Sequence, residues 1–426
     1  MNIKNVVKNK LCIQCGICAA ACPLRCIALK RNQDDFLPVV NQKKCTDCGL
    51  CARVCSVSEL SNYDASVPLE DFIMGDYISV HRAQTKDGPI LQNSTSGGIT
   101  TTLIKSLLQD NLYDCAFVID GYSYSEQLQT HRMATGDDLS ETQKSRYLTV
   151  SHCEAMRYIR KHPDQRVILI GTGCIVSSFI NTINTFGLNR DNYFLIGLFC
   201  DKTMTYGVHR YFAQHRVGRG RILKNLYFRT KQAGGWPGGV KLEYTDGTYE
   251  LLDRTERMKL KEYFVPEKCL YCLNKLNRGA DISVGDNYIA NNEDVSGVSS
   301  VIIRSKIGQA IWERYQEQFV FASDDIEKLK QSQWLKLKQK NLAFAGIKGL
   351  LNTTVTKQDK QAYRHALRKI KIGQKSDVYD AINYDLQHHK MISRLLKWLF
   401  SINSKYKDGK KNKVITIVGL RFSISK

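Results

Sequence analysis

Eight cysteines in two copies of one spacing constrain this chain more than any other feature. Cys12, Cys15, Cys18 and Cys22, followed by Pro23, read CxxCxxCxxxCP, and Cys45, Cys48, Cys51 and Cys55 repeat the spacing with Ser56 in place of the proline. Thiolates two residues apart on one short loop reach three corners of an iron–sulfur cube, and the fourth cysteine of each run crosses to the other cube. One 4Fe-4S cluster is therefore expected on Cys12, Cys15, Cys18 and Cys55, and a second on Cys45, Cys48, Cys51 and Cys22. A pair of structural zinc sites is the alternative, but zinc takes four sulfurs per ion and has no use for the crossed position. The proline shapes backbone and is not a ligand, so Ser56 leaves this reading intact. Cys26 reads as a small packing residue.

A module of this size buries little core and leans on its clusters. The 426-residue length calls for one or two further domains, and 43% hydrophobic with 24% charged residues is the composition of a packed soluble protein. No run of eighteen apolar residues occurs, and the opening MNIKNVVKNKLC lacks the apolar core of a signal peptide, so a cytoplasmic location is expected. Thiols stay reduced there, which favours metal ligation over disulfides for the fifteen cysteines. The formal charge of +21 would suit nucleic acid or an anionic membrane. Clusters carrying roughly −2 each offset part of it. No nucleic-acid reading module accompanies the rest, so nucleic acid is not an expected partner.

Breaker residues in SNYDASVPLEDFIMGDY place a boundary near residue 62. Beyond it the pattern is mixed α/β. A helix over GITTTLIKSLLQ follows Thr95-Ser96-Gly97-Gly98, and a strand is expected over Cys115 to Ile119. RVILIGTGCIVSSFINTINTF reads as strand, turn and helix; FLIGLF, ISVG and SSVIIRS read as strands, and VKLEYTDGTYELL as a hairpin turning at Asp246-Gly247. From about residue 326 the chain is Lys- and Gln-rich and helical in pattern, an accessory region. The expected fold is a dicluster ferredoxin module over 1–62, an α/β (or α+β) body in two parts, 63–150 and 151–325, and a basic helical tail over 326–426.

Four more cysteines stand in distinctive settings: Cys174 in GTGC, Cys200 in GLFCD, and Cys269 and Cys272 in KCLYCLNKLNRGADISVGD. The last two, paired thiols in a basic loop, suit a metal or redox site. Cys115 reads as core filler, and Cys153 has no ligand-like setting. With TSGG at Thr95 to Gly98 and KSRYLTV at Lys144 to Val150, these motifs stand in the order found in the coenzyme F-420 hydrogenase/dehydrogenase beta subunits, which the chain resembles from about residue 10 to 320. Family members carry SSGG, GSKYVQS, GTPCQ, a strand ending in CHG, and CxxC followed by R, ADI and GD. Here Gly173 replaces the proline and Ile175 the glutamine of GTPCQ, and Asp201-Lys202 replaces His-Gly after Cys200.

The resemblance implies a third 4Fe-4S cluster on Cys174, Cys200, Cys269 and Cys272. It also implies FAD, which converts between single electrons and the two-electron chemistry of hydride transfer. Candidate cofactor contacts are Ser96, Gly97, Gly98, Gly171, Thr172 and Gly173 before helices, where backbone N–H groups hold phosphate. Lys144, Arg146, Tyr147 and Arg278 would add charge and a ring. Gly285 ends ISVG and is a further candidate contact; Asp281 and Asp286 bracket that run, where a carboxylate either orients a ring or proton donor or caps a turn.

In the tail, Ile392, Leu395, Leu396, Leu399 and Ile402 line one face of an expected cationic helix. Such a face docks on the protein's own body or, in the alternative, lies on an anionic membrane at the inner face of the cell. The closing KKNKVITIVGLRFSISK resembles in composition the basic tails of some bacterial cell-surface polysaccharide assembly proteins. The function expected is a flavin- and iron–sulfur-dependent oxidoreductase. It takes electrons from a redox partner protein and exchanges hydride with a small organic substrate, either coenzyme F-420-like or a polysaccharide-pathway intermediate. Its alternatives are a non-catalytic electron relay and a scaffold of a glycan biosynthesis complex.

Overall fold

The repeat in sequence is a repeat in backbone. Each cysteine run bends into a loop and one short helix, Ile17–Ala21 in the first and Leu50–Arg53 in the second. Gly16 and Gly49 precede them with φ of 72° and 76°, a left-handed turn that glycine makes without steric cost. Between the runs, β1 (Ile27–Asn32) and β2 (Asp35–Val40) pair as an antiparallel hairpin with Asn32 opposite Asp35. This computed structural model describes residues 3–121, 126–217, 220–289, 294–407, 410–417 and 420–425.

The body is built on one eight-stranded sheet. Its strands are β3 (Ser79–Thr85), β4 (Cys115–Ile119), β5 (Thr130–Met133), β6 (Val167–Thr172), β7 (Tyr193–Leu198), β11 (Ile282–Asp286), β12 (Ser299–Ile303) and β13 (Phe319–Ser323). A separate antiparallel sheet holds β8 (Leu223–Thr230), β9 (Gly239–Tyr244) and β10 (Tyr249–Leu252), with the expected turn at Asp246-Gly247. The large sheet runs β13-β3-β12-β11-β7-β6-β4-β5, and four consecutive inner strands, β11, β7, β6 and β4, are parallel. Parallel strands covered on both faces must be apolar throughout. VILIGT, YFLIGL and CAFVI meet that demand, and most of their residues are buried.

Alternation along these strands feeds two cores. Ile168, Phe194 and Ile196 pack with Leu103 and Leu107 of the helix Ile99–Gln109 and with Trp312. Val167, Leu169 and Leu195 pack with Val176 and Phe179 of the helix Gly173–Thr185, and Ile17 and Val54 of the cysteine module join this second core. The module is thereby seated on one face of the sheet. The two expected body domains share that sheet, because β3 from the first part lies between β12 and β13 from the second.

The chain divides into two compact units after Lys371. Residues 326–371, expected as accessory, belong to the first unit and pack against the Cys269–Cys272 loop, as described below. The second unit continues from the helix Val378–Leu399 into a three-stranded antiparallel sheet, β14 (Phe400–Lys407), β15 (Lys410–Ile417) and β16 (Leu420–Ser425). The expected helical tail is thus corrected: the helix stops at Leu399, and Ile402 lies in a strand. The β-branched residues of KVITI and the alternation of LRFSIS suit strands. Side chains from residue 389 onward, including the proposed apolar face, lie outside the described residues. Among the described residues no helix is long and apolar enough to cross a membrane.

Candidate functional site

All fifteen cysteines are free thiols. Cys12, Cys15 and Cys18 surround the start of the helix Ile17–Ala21, and the chain brings Cys55 from the second run to them. A charge on Cys55 disfavours ionisation of each of the other three. Cys45, Cys48 and Cys51 come together in the second run, on the more exposed side of the module. Cys22 of the first run contacts Cys26 (Sγ–Sγ 3.3 Å), and Cys26 in turn faces Cys45. Cys26, expected as mere packing, therefore bridges the two runs.

Burial pushes the Cys12 thiol up to about 12 and raises Cys15 and Cys18 further. Three such raised thiols, with the Cys55 sulfur beside them, cannot ionise together without a cationic centre among them. Soft sulfur donors suit iron–sulfur clusters, so the donor set fits the group. Among the described residues, no three His, Cys, Asp or Glu side chains converge tightly enough for a single metal ion. Thiolates around a cube stand further apart than those around one ion.

The later cysteines meet at the carboxyl ends of the parallel strands, where open α/β sheets hold their ligands. Cys174 opens the helix after β6, Cys200 follows β7, and Cys269 lies within one turn of 3₁₀ helix over Glu267–Tyr271 that Cys272 caps. Each is pushed up or pushes its neighbours up: Cys200 by burial and by Cys269, Cys174 and Cys272, and Cys269 by burial, to about 12. The Cys200 N–H donates to Lys275 O (2.9 Å). Asn341 Nδ2 donates to the carbonyls of Cys269 (3.0 Å) and Cys272 (3.2 Å), Lys348 pairs with Glu267 (2.9 Å), and Tyr363 meets Tyr271 (2.6 Å). The region past residue 325 thus holds the cysteine loop in place. Cys174 also lies within electrostatic reach of Cys15, so this second group stands close behind the first.

The expected cofactor contacts separate. Asp286, Ser96, Lys144 and Tyr147 gather around side chains that carry no sequence motif. Arg229 grips Asp286 with two bonds (2.6 and 2.9 Å), and Trp236 Nε1 (2.9 Å) and the Tyr288 hydroxyl (3.1 Å) also donate to that carboxylate. Lys231 Nζ donates to Ser96 O (3.1 Å), Lys144 lies over the Tyr227 ring, and Arg257 and Lys261 lie over Tyr147. The result is a cationic and aromatic surface between the small sheet and the end of β11. Gly285 sits beneath Phe199, with no room for a side chain.

Others serve the fold. A Cβ on Gly97 would lie 2.4 Å from Ala83 O, so that glycine lets the helix start approach β3 rather than a ligand. Arg146 spends its guanidinium on the carbonyls of Ile119, Gly121, Glu141, Thr142, Gln143 and Lys144. Asp281 lies at the opposite end of β11 from Asp286, where it accepts from Arg190 (2.8 Å), Leu195 N–H (2.8 Å) and Ser305 (2.6 Å). Gly98 turns into the helix at φ 77°, and Asn277 ties Gly171 O (2.8 Å). Thr172 touches Cys174 (3.5 Å), and Arg278 pairs with Glu59 (3.4 Å) over the Phe72 ring, on the Cys174 side.

Known proteins align with this chain in the same order. A model described as the N-term of the coenzyme F420 hydrogenase/dehydrogenase beta subunit matches residues 80–157, and the model of that protein's C terminus matches 164–328. A 4Fe-4S dicluster domain matches 11–58. The chain belongs to the family of coenzyme F420 hydrogenase/dehydrogenase beta subunits. It is 22% identical over 334 residues to a subunit of the F(420)H(2) dehydrogenase of Methanosarcina mazei, covering 76% of this chain and 87% of that protein. It is 24% identical over 275 residues to the coenzyme F420 hydrogenase beta subunit of Methanosarcina barkeri, with 62% and 87% covered. It is 24% identical over 353 residues to the coenzyme F420-dependent sulfite reductase of Methanocaldococcus jannaschii, covering 79% of this chain and 50% of that protein. A solved F420-reducing NiFe hydrogenase complex from Methanosarcina barkeri aligns with TM-score 0.47 at 18% identity, over 76% of this chain and 95% of that one.

Within the pattern of these beta subunits the departures have structural causes. Proline is well suited to the first position of a helix. Here, however, a Cβ on Gly173 would lie 2.5 Å from Asn274 O, so glycine lets the Cys174 helix close on the Cys269–Cys272 loop. Gly173→Ala is expected to push these apart, costing about 1–3 kcal/mol in denaturant unfolding. Ile175 packs onto Gly171. Asp201 pairs with buried Lys338 (3.0 Å); burial opposes its ionisation, but the lysine charges outweigh this and hold its carboxyl well below the usual range.

Proposed function

We propose that this chain is an iron–sulfur flavoprotein oxidoreductase that passes electrons between a redox partner protein and a small organic molecule of the coenzyme F420 class. The observation that carries this reading is the meeting of Cys174, Cys200, Cys269 and Cys272 directly behind the cysteines of the dicluster domain. The 4Fe-4S groups supply one-electron transfer, and FAD supplies the conversion to hydride chemistry. Cys12, Cys15, Cys18 and Cys55 would hold one cluster, Cys45, Cys48, Cys51 and Cys22 a second, and the four later cysteines a third.

Lys144, Arg229 and Lys231 with Tyr147, Trp236 and Tyr288 have the charge and ring surface that a flavin with its phosphates requires. The Asp286 carboxylate fixes and neutralises Arg229, which leaves Lys144 and Lys231 to supply the net positive charge. Anaerobically purified protein is expected to release about one FAD per chain on denaturation, and no flavin would leave the reading without its two-electron site.

The flavin should also be lost as pH rises. Burial and the nearby Arg229 push Lys231 down to about 8, so its ammonium is present below that pH and disappears above it. Retention is expected to weaken between about pH 7 and 9, and Lys231→Arg, which stays charged, should flatten the dependence. Flavin fluorescence after gel filtration at each pH measures this.

A further inference from the structure

Ser56 stands where the first cysteine run has Pro23, and the structure gives it two bonds that proline cannot make. Its N–H donates to Ser178 Oγ (3.1 Å) on the helix that begins beside Cys174, and its hydroxyl accepts from Lys268 Nζ (2.7 Å). Ser56 is 1% exposed and Lys268 4%. Ser56 directly follows Cys55, and Lys268 directly precedes Cys269. One buried side-chain hydrogen bond therefore links the residue after a dicluster cysteine to the residue before a cysteine of the later group.

A buried ammonium needs negative charge around it. The partner hydroxyl is neutral. The Glu59 carboxylate beside the ammonium is already held by Ser177 (2.9 Å), Asn274 and Arg278 (3.4 Å). The other negative charge around Lys268 can come only from the sulfurs of Cys174, Cys55 and Cys272, of which Cys174 and Cys55 act on it more strongly than Glu59 does. The lysine lines a small cavity of about 20 Å³ together with Cys174, Cys272 and Glu59, and it interacts electrostatically with Cys55 and Cys12 as well.

We infer that Lys268, anchored by Ser56, is the shared counter-charge of the Cys12/Cys15/Cys18/Cys55 group and the Cys174/Cys200/Cys269/Cys272 group, and that it raises the reduction potential of both centres. The inference rests on the cluster assignment proposed above. A fixed positive charge stabilises the more negative, reduced state of whatever centre it faces. Lys268 is thus a positioning and tuning residue. Among the described residues, no hydrogen bond or cavity wall joins Lys268 to the Cys45/Cys48/Cys51/Cys22 group.

The test is an EPR-monitored potentiometric titration of the full chain, reconstituted anaerobically, as wild type, Lys268→Gln, Lys268→Met and Lys268→Arg, with iron counted in each. With iron unchanged, both neutral variants should lower two of the midpoints by at least about 59 mV, a tenfold change in a one-electron equilibrium, and leave the third in place. Lys268→Arg should restore them. Full iron with unmoved potentials would overturn the inference while leaving the cluster assignment standing; a wild type that binds no iron would remove the assignment itself. Loss of iron in both neutral variants but not in Lys268→Arg would support a required charge. Loss in all three would make the side chain's shape the cause and overturn the inference.

Discussion

Cys272→Ser is expected to lower iron and acid-labile sulfide from about twelve of each per chain to about eight, by the four-iron count of each cube. The two ligand sets of the dicluster domain draw nothing from the Cys269–Cys272 loop. Their iron should remain, and the reduced protein should lose one EPR signal and keep the others. Serine oxygen is a hard donor and replaces a soft thiolate poorly. The loop itself should persist, because Asn341, Lys348 and Tyr363 hold its backbone and side chains without using the Cys272 sulfur. Eight irons in the wild type, unchanged in the variant, would mean that the four later cysteines are only buried thiols.

Asp286→Ala should be the most destabilising single change in the cationic surface, by roughly 3–5 kcal/mol, because it leaves a buried charge without its partner. Arg229 is 5% exposed at its side chain and Asp286 15%. Trp236 Nε1–H and the Tyr288 hydroxyl lose their acceptor as well. Denaturant unfolding under anaerobic conditions measures the loss. The same carboxylate should mark the acid limb. Burial raises its pKa, but the Arg229 charge and the bonds from Arg229, Trp236 and Tyr288 outweigh this and leave it below the usual value. A depressed folded value means stability fully present above the unfolded value of about 4 and lost as pH falls through the folded one. Asp286→Asn should lack that component of acid loss.

Local spacing was legible and distant pairing was not. The two cysteine runs announce themselves because all the ligands of a loop lie within a few residues. The apolar runs of β6 and β7 likewise declare buried parallel strands. Arg229, Lys231, Trp236 and Tyr288 carry no such signal, since each is an ordinary residue whose partner lies far along the chain. Asp281 and Asp286 bracket the same short strand, but only the sheet's direction decides which end faces the site. Arg146 looked like a free charge until its neighbours' carbonyls took it. Past residue 325 composition suggested an appendage, yet Lys338 and Asn341 reach Asp201 and the cysteine loop. Ser56 looked like a harmless departure from a motif, and its meaning depends on a lysine more than two hundred residues away.

The central measurement is iron, acid-labile sulfide and flavin counted together on the full chain after anaerobic reconstitution with iron, sulfide and FAD. Three cubes and one two-electron site predict about twelve irons, about twelve sulfides and about one FAD. About eight irons without flavin would contradict it and leave a dicluster relay in its place.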